Sequence, residues 1–448
     1  MKNIDRIIEK FNTPDTCLVV SAWPQKAGNK EINHGVAWYT KLSLTEIAKK
    51  KGTKFVVLAE AGFDNTPELV ERGKILVLRV FTPTHHSLYP AILRWLRVFN
   101  TIPHVFVHSE FGAGSGLLHY GLLLPFLALI RLTGKRITYV AHNVIADITF
   151  LQTHLGIDAS PFVIDATNML IHLHTLCIGK LVDRIVVLDE ALKQRLEKIL
   201  PATPIIASAI PVSPAKIISR AKAKKFLKIP AGHKVMLSFG FLSAYKGSDW
   251  LVNAFHVHAK TALGSKTTLI MAGGPAHSLK NRSHYQDYYL ELNRAAEASP
   301  NIRITGFVPE KHISIYFAAA DLVVLPYRGL MGSSGGLTHA LAYKRPFLFS
   351  TAMQDIWKNR DVQKAADAAR VDKSRLFFPL SSVGMHELLK IVHSATKRAK
   401  LTQVSRILSD ERTIQYHSDK AYNQIYAPRS YAEQDKLTIL QSLGLAST

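Results

Sequence analysis

Acidic residues are the scarce class in this 448-residue chain: 33 Asp and Glu stand against 56 Lys and Arg, a formal net charge of +23. That balance favours anionic partners, namely nucleic acid, an anionic membrane surface or phosphorylated ligands, and says nothing about fold. Cysteine is nearly absent. Cys17 and Cys177 make no disulfide framework and suit a reducing compartment. The N-terminal stretch Met1–Glu9 carries acids where a signal peptide would be apolar, so the expectation is a cytoplasmic protein. No RNA- or DNA-binding module signature is present, which leaves nucleic acid without support beyond charge. No short repeat or low-complexity tract occurs. His85-His86 and the His172/His174 pair find no Cys or acid to complete a ligand set, so no metal is expected.

What is present is a globular composition, 47% hydrophobic and 20% charged, at a length that calls for two or three domains. Short apolar strands alternate with helical patterns: Cys17–Ser21, Phe55–Ala59, Ile75–Val80, His104–His108, Ile137–Ala141 and Arg184–Leu188. Strands alternating with helices over about 200 residues mean a parallel sheet covered on both faces. The stretch between Pro201 and Pro214 has no helical period and reads as an interdomain linker. A second set of strands follows at Val235–Phe239, Thr268–Ala272, Ile302–Thr305, Asp321–Leu325 and Pro346–Ser350. The boundaries are therefore a first doubly wound domain at 1–210, a second at 217–400, and a helical segment at 401–448 that crosses back to the first domain.

Two stretches bear on membranes. Phe111–Ile130 has no formally charged residue but contains four glycines and Pro125, so it reads as a glycine-rich loop and a buried helix rather than a span. Leu88–Phe99 interleaves Arg94 and Arg97 with apolar residues and reads either as a core-facing helix or as one lying on a membrane surface.

The noteworthy loops all follow strand C-termini, where open parallel sheets bind ligands. They carry Gly35, Glu110, His142, Lys246, Gly273-Gly274, Phe307 and Ser333-Ser334. Gly332 to Gly336 lies between a strand and a helix N-terminus, where free amides and the helix dipole favour an anion, typically phosphate. His142 taken alone reads more often as a structural histidine, and Glu110 as a solvated or locally paired acid.

Phe239 to Gly247 (FGFLSAYKG), Ala272-Gly-Gly-Pro275, Gly306-Phe-Val-Pro309, Asp321 with Pro326-Tyr327, and Ser333 to Ala342 stand in the order and spacing of one family. Over roughly residues 235–350 the chain resembles the nucleotide-sugar-binding half of glycosyltransferase family 4; the first domain resembles the acceptor half more loosely. The resemblance implies an α/β protein of GT-B architecture, two Rossmann-like domains facing a cleft. It implies a retaining glycosyltransferase, metal-independent and without a cofactor, using a UDP- or GDP-linked sugar as co-substrate and a glycan or lipid-linked acceptor. An anionic membrane surface, the inner face, suits the charge. Carried over, Gly35, Gly240, Lys246, Ser333, Ser334 and Gly335 would hold the donor phosphates. Phe307, Val308 and His339 would hold the nucleoside, His142 would be the catalytic residue, and Glu110 and Met331 would contact acceptor or sugar. Met331 and His339 replace two glutamates common in the family, and Phe241 replaces an arginine. These departures also suit a catalytically silent binding protein.

Overall fold

The computed structural model describes residues 2–27, 30–32, 35–83, 87–110, 116–213, 215, 218–276, 279–413 and 419–427. The first domain contains α1 (Lys2–Phe11), β1 (Thr16–Val20), the hairpin strands β2 (Gln25–Ala27) and β3 (Lys30–Ile32), α2 (Gly35–Lys51), β4 (Lys54–Glu60), β5 (Glu68–Val70), β6 (Ile75–Phe81) and α3 (Leu88–Val98). It continues with β7 (His104–Ser109), α4 (Gly116–Leu132), β8 (Arg136–Ala141), a single turn α5 (Gln152–Leu155), α6 (Pro161–Leu181), β9 (Arg184–Val187), α7 (Glu190–Glu197) and β10 (Ile205–Ala207). The 8-stranded sheet runs β10-β9-β8-β7-β1-β4-β6-β5. Every neighbour is parallel except β5, which returns antiparallel along β6. Central strands read as unbroken apolar runs because both faces are covered: Phe106 and Phe55 face one layer, Val105 and Val107 the other.

The second domain contains α8 (Arg220–Phe226), β11 (Lys234–Phe239), α9 (Ser248–His258), β12 (Thr267–Ala272), α10 (Ser283–Glu297), β13 (Ile302–Ile304), α11 (Glu310–Ala319), β14 (Leu322–Leu325), α12 (Gly335–Ala342), β15 (Phe347–Ser350), α13 (Arg360–Ala368), β16 (Phe377–Phe378), α14 (Ser382–His393) and α15 (Ala395–Glu411). Its 6-stranded sheet runs β13-β12-β11-β14-β15-β16, with reversal of strand order beside β11, where ligands bind in doubly wound sheets. Asp321, fully buried, receives Lys224 Nζ at 2.7 Å, Arg220 Nη1 at 3.1 Å and the Val235 amide at 3.0 Å, tying α8 to the sheet.

Several expectations change. The stretch read as linker includes β10, whose Ile205–Ala207 pairs with Ile185–Val187 and closes the edge of the first sheet. Three residues are too short a run to signal a strand. The polar loop after β1 contains the β2–β3 hairpin. The helix within Phe111–Ile130 is buried on one face only: Leu123, Phe126, Leu127 and Ile130 are inside, while Leu122 and Leu129 are exposed. The loop before it, 111–115, lies outside the described residues, as do His85 and His86. Leu88, Ile92 and Leu96 of α3 face the core and Arg94 and Arg97 face outward, the arrangement of a core-facing helix. His172 is exposed, and His174 bonds the Tyr120 carbonyl at 2.9 Å. Among the described residues no cluster of three His, Cys, Asp or Glu side chains is placed to hold a metal ion.

The chain returns to the first domain after α15. Tyr426 packs against Phe106 and Phe55, and the Gln424 carbonyl accepts from Arg184 Nη1 at 3.0 Å.

Candidate active site

At the end of β11 the backbone turns at Gly240 with φ +118°, a conformation closed to most side chains. A Cβ there would meet Lys246 Nζ at 3.0 Å, so the ammonium stands directly over this turn. Lys246 ends a 3-10 turn, Ala244–Lys246, which Arg328 braces. The Arg328 amide donates to the Tyr245 carbonyl at 2.7 Å. Its guanidinium forks onto both oxygens of Asp249 at 2.9 and 2.6 Å and also reaches the Ala244 carbonyl. Such a fork fixes a loop better than a single-point ion pair does. Lys246 Nζ lies 5.8 Å from the Tyr245 ring centroid and 5.7 Å from that of Tyr327. Burial works against its charge, yet Tyr245, Tyr327 and Glu110 outweigh that and raise its pKa. Of these, Glu110 comes from the first domain, across the cleft at the end of β7.

Tyr327 links this loop to the N-terminus of α12. Its hydroxyl is 2.9 Å from Ser334 Oγ, which caps α12 by accepting from the Leu337 amide at 3.2 Å. Gly335, the first residue of α12, is exposed, with open space where a Cβ would be. An ammonium and the positive end of a helix thus converge on one spot.

The nucleoside candidates sit farther along the same edge. Val308 is buried in the core, so only its backbone is free to meet a ligand, while Phe307 is half exposed. The His339 ring is wrapped by Phe239 at 5.1 Å, Phe317 at 5.5 Å and, from the first domain, Trp38 at 6.0 Å. Burial holds its pKa down to about 4, so it is neutral at pH 7. Trp38 lies in the first turn of α2, just past the exposed Gly35, and brings that helix end toward α12.

On the first-domain side His142 follows β8 and is buried. Its Nε2 is 3.1 Å from Nδ1 of His108, at the end of β7, and its ring meets Tyr39 edge-on at 5.2 Å. Thr40 Oγ1, itself donating to the Val36 carbonyl at 2.9 Å, lies 3.5 Å from the same His108 nitrogen. Burial first, and His142 second, push the His108 pKa well below its ordinary value. His108 is therefore a neutral imidazole pressed against His142.

The domains touch where these two sides meet. The Val144 amide donates to the Met331 carbonyl at 2.6 Å, and Asn143 bridges Gly332. A Cβ on Gly332 would lie 2.6 Å from the His142 carbonyl oxygen, so this approach needs glycine. Ser333 Oγ donates to the Leu188 carbonyl at 2.8 Å. Arg195 of α7 donates to the carbonyls of Val144 and Leu330 and to Asp355.

Of the expected site residues, the structure gathers Gly240, Lys246, Ser334 and Gly335 on one edge, with Glu110 near enough to help raise the Lys246 pKa. It sets His142 against Gly332. The Met331 side chain packs against the first domain's cluster of Ile145, Ile148 and Leu151, and Phe241 packs against Ala276, Leu279 and Tyr285. Sequence reasoning missed His108, Thr40, Trp38 and Arg328. For His108 a signal existed: it ends the same strand as Glu110.

This is the two-domain GT-B fold. Solved structures sharing it include sucrose-phosphate synthase from Thermosynechococcus elongatus, with TM-score 0.65, 12% identity, and coverage of 92% of this chain and 99% of that one. HepE from Anabaena in complex with UDP-glucose matches with TM-score 0.62 and 14% identity, covering 92% and 99%. A UDP-forming trehalose-phosphate synthase from Burkholderia xenovorans matches with TM-score 0.59 and 14% identity, covering 91% and 97%. Residues 233–369, the second domain from β11 through α13, match the family model described as Glycosyl transferases group 1. A search of curated protein sequences finds no match.

Proposed function

We propose that the protein is a glycosyltransferase that takes a sugar from a UDP- or GDP-linked donor and places it on a glycan or lipid-linked acceptor, with retention and without a metal. The observation that carries this reading is the convergence of Lys246 Nζ, over Gly240, with the Ser334-capped N-terminus of α12. A departing nucleoside diphosphate needs its developing charge met by fixed donors, and an ammonium beside helix amides supplies them in place of a cation. The solved relatives bound to UDP and UDP-glucose support a nucleotide-sugar donor.

In this reading the amides of Ser333, Ser334 and Gly335 hold phosphate, with Gly35 letting α2 close over it. Backbone atoms of Phe307 and Val308 meet the base, and neutral His339 bonds the ribose. His142 lies at the transferred sugar, with Glu110 and Met331 on the acceptor side. The test is a donor screen: UDP- and GDP-sugars are offered with simple glycan acceptors while nucleotide release and calorimetric binding of UDP and GDP are followed. Nucleotide release above background with one donor class is the expected result; no binding of either diphosphate would overturn the reading.

A second reading has one observation behind it. Met331 and Phe241 stand where the family commonly has a glutamate and an arginine, and both are committed to apolar clusters. A silent sugar-nucleotide-binding protein would bind the diphosphate and release nothing.

A further inference from the structure

Helices α4 and α6 are consecutive crossovers, β7 to β8 and β8 to β9, and lie side by side on one face of the first sheet. Tyr120 of α4 stacks on His174 of α6 at 4.1 Å. Their inner faces are ordinary core: Ile164, Ile171 and Ile178, seven apart, point inward from α6. Their outer faces are apolar as well. Leu132 is 83% exposed, Phe162 81%, Met169 67% and Leu170 61%, with Leu129 and Leu173 beside them. Phe162, Met169 and Leu173 sit two residues from the buried isoleucines, about 200° around the helix and so opposite the core. Among the described residues these two helices carry three and five of the seventeen exposed large apolar side chains. A monomer in water does not spread apolar surface this way without a partner.

The charges on these helices are mainly basic, although Asp165 stands exposed on α6 between Phe162 and Met169. Across α3, α4 and α6 stand Arg94, Arg97, Arg131 and Lys180, against the single acid Asp165. Arg131 also meets Asp183 at 3.4 Å but stays half exposed. Helix α6 is long and apolar enough to cross a bilayer. It cannot do so here, because it joins β8 and β9, which pair directly at Thr138 and Arg184. The last described residues of the chain, at Tyr426, pack on the opposite face of the sheet, away from the patch.

We propose that the outer face of α4 and α6 docks on an anionic lipid bilayer, the apolar side chains entering the headgroup boundary and the arginines of α3 meeting the lipid phosphates. Helix α4 begins at the cleft end of the sheet soon after Glu110, and α6 follows the segment that leaves the same end at His142. The docked protein therefore holds its cleft at the membrane surface. Binding itself does not depend on the transferase reading.

The experiment is co-sedimentation of the full chain with vesicles of phosphatidylcholine, alone or mixed with phosphatidylglycerol. Association with the mixed vesicles is expected, weakened but not abolished by salt. The double variant Met169→Asp with Leu170→Asp should bind about tenfold more weakly or worse, since two side chains lose apolar burial. Phe162→Asp, tested separately, should weaken binding in the same direction. These side chains make no core, so circular dichroism should show both variants folded. Arg94→Glu with Arg97→Glu should weaken binding at low salt only. Val257→Asp, an exposed apolar position on the second domain, should bind as wild type. Absence of binding to the mixed vesicles would overturn the proposal, as would an equal loss in Val257→Asp. So would a homodimer that the Met169/Leu170 variant dissolves, which would assign the patch to a second copy.

Discussion

The two domains share a topology and divide the chemistry by charge. The second places a raised-pKa ammonium, Lys246, on a loop braced by the Arg328–Asp249 fork and sets it beside a helix N-terminus. The first offers His108, partly buried and held neutral, with its Nδ1 3.1 Å from Nε2 of the buried His142. In the proposed reading, one loop meets the donor's anion and the other holds His142 in a fixed position at the transferred sugar.

The sharpest way to break this contrast is Lys246→Ala. It should weaken binding of the cognate nucleotide diphosphate by roughly 1.5–3 kcal/mol, the scale of a charge-assisted hydrogen bond, and lower turnover with it. Calorimetry and turnover on the same protein decide the matter; unchanged affinity removes Lys246 from the site. His142→Ala should show the complementary pattern, turnover lower by about 10²-fold with nucleotide affinity nearly intact. Near-normal turnover in a folded variant would leave Glu110 as the next first-domain candidate.

A smaller effect separates contact from positioning. His108→Ala should lower kcat by about tenfold with KM nearly unchanged, the signature of a misplaced His142. His108→Asn, which keeps a donor near Nδ1, should recover part of the loss. If the Ala and Asn variants are equally impaired, His108 is only filling space.

The smallest effect concerns the contact between domains. Asp189 caps α7, receives Asn359 Nδ2 at 2.9 Å and is buried. Burial lifts its pKa to about 6, against the pull of Arg412, Asn359 and the Ala191 amide; Asp361 adds to the lift. Between the ordinary carboxylate value and about pH 6 the folded protein keeps a proton that the unfolded chain has lost. This group's contribution to stability therefore falls as pH rises through that window, and its cost is fully present above it. Asp189→Asn keeps the cap, and Arg412 keeps Asp361 at 2.6 Å. The variant should show a flatter Tm against pH between about 4 and 6, and at pH 7 stability within about 1 kcal/mol of wild type or better. An unchanged slope would show that Asp189 titrates normally.

The second domain was legible because its site is written consecutively. Gly240 to Lys246 and Ser333 to Gly335 each hold their chemistry within one loop, and the strands before them are plain apolar runs. The first domain's site is not written that way. His108 and His142 are brought together only by the pairing of β7 with β8, and Thr40 reaches them from α2. Met331 reads as a lost glutamate until its packing partners, Ile145 and Leu151, come from the other domain. The outer face of α6 left no trace because an apolar helical period is the same whether its second face meets protein or lipid. β10 is too brief to register, and its partner β9 supplies what its own residues do not.

The returning chain has a mechanical meaning. The outgoing segment at Val212 and the incoming one at Thr413 run side by side, and the Val212 amide bonds the Arg412 carbonyl at 2.7 Å. At this point the outgoing and returning segments are tied to each other by backbone pairing as well as by the covalent chain. A first half produced alone as residues 1–210 would also lack Tyr426, and so would meet water with the face of Phe55 and Phe106 that Tyr426 normally covers.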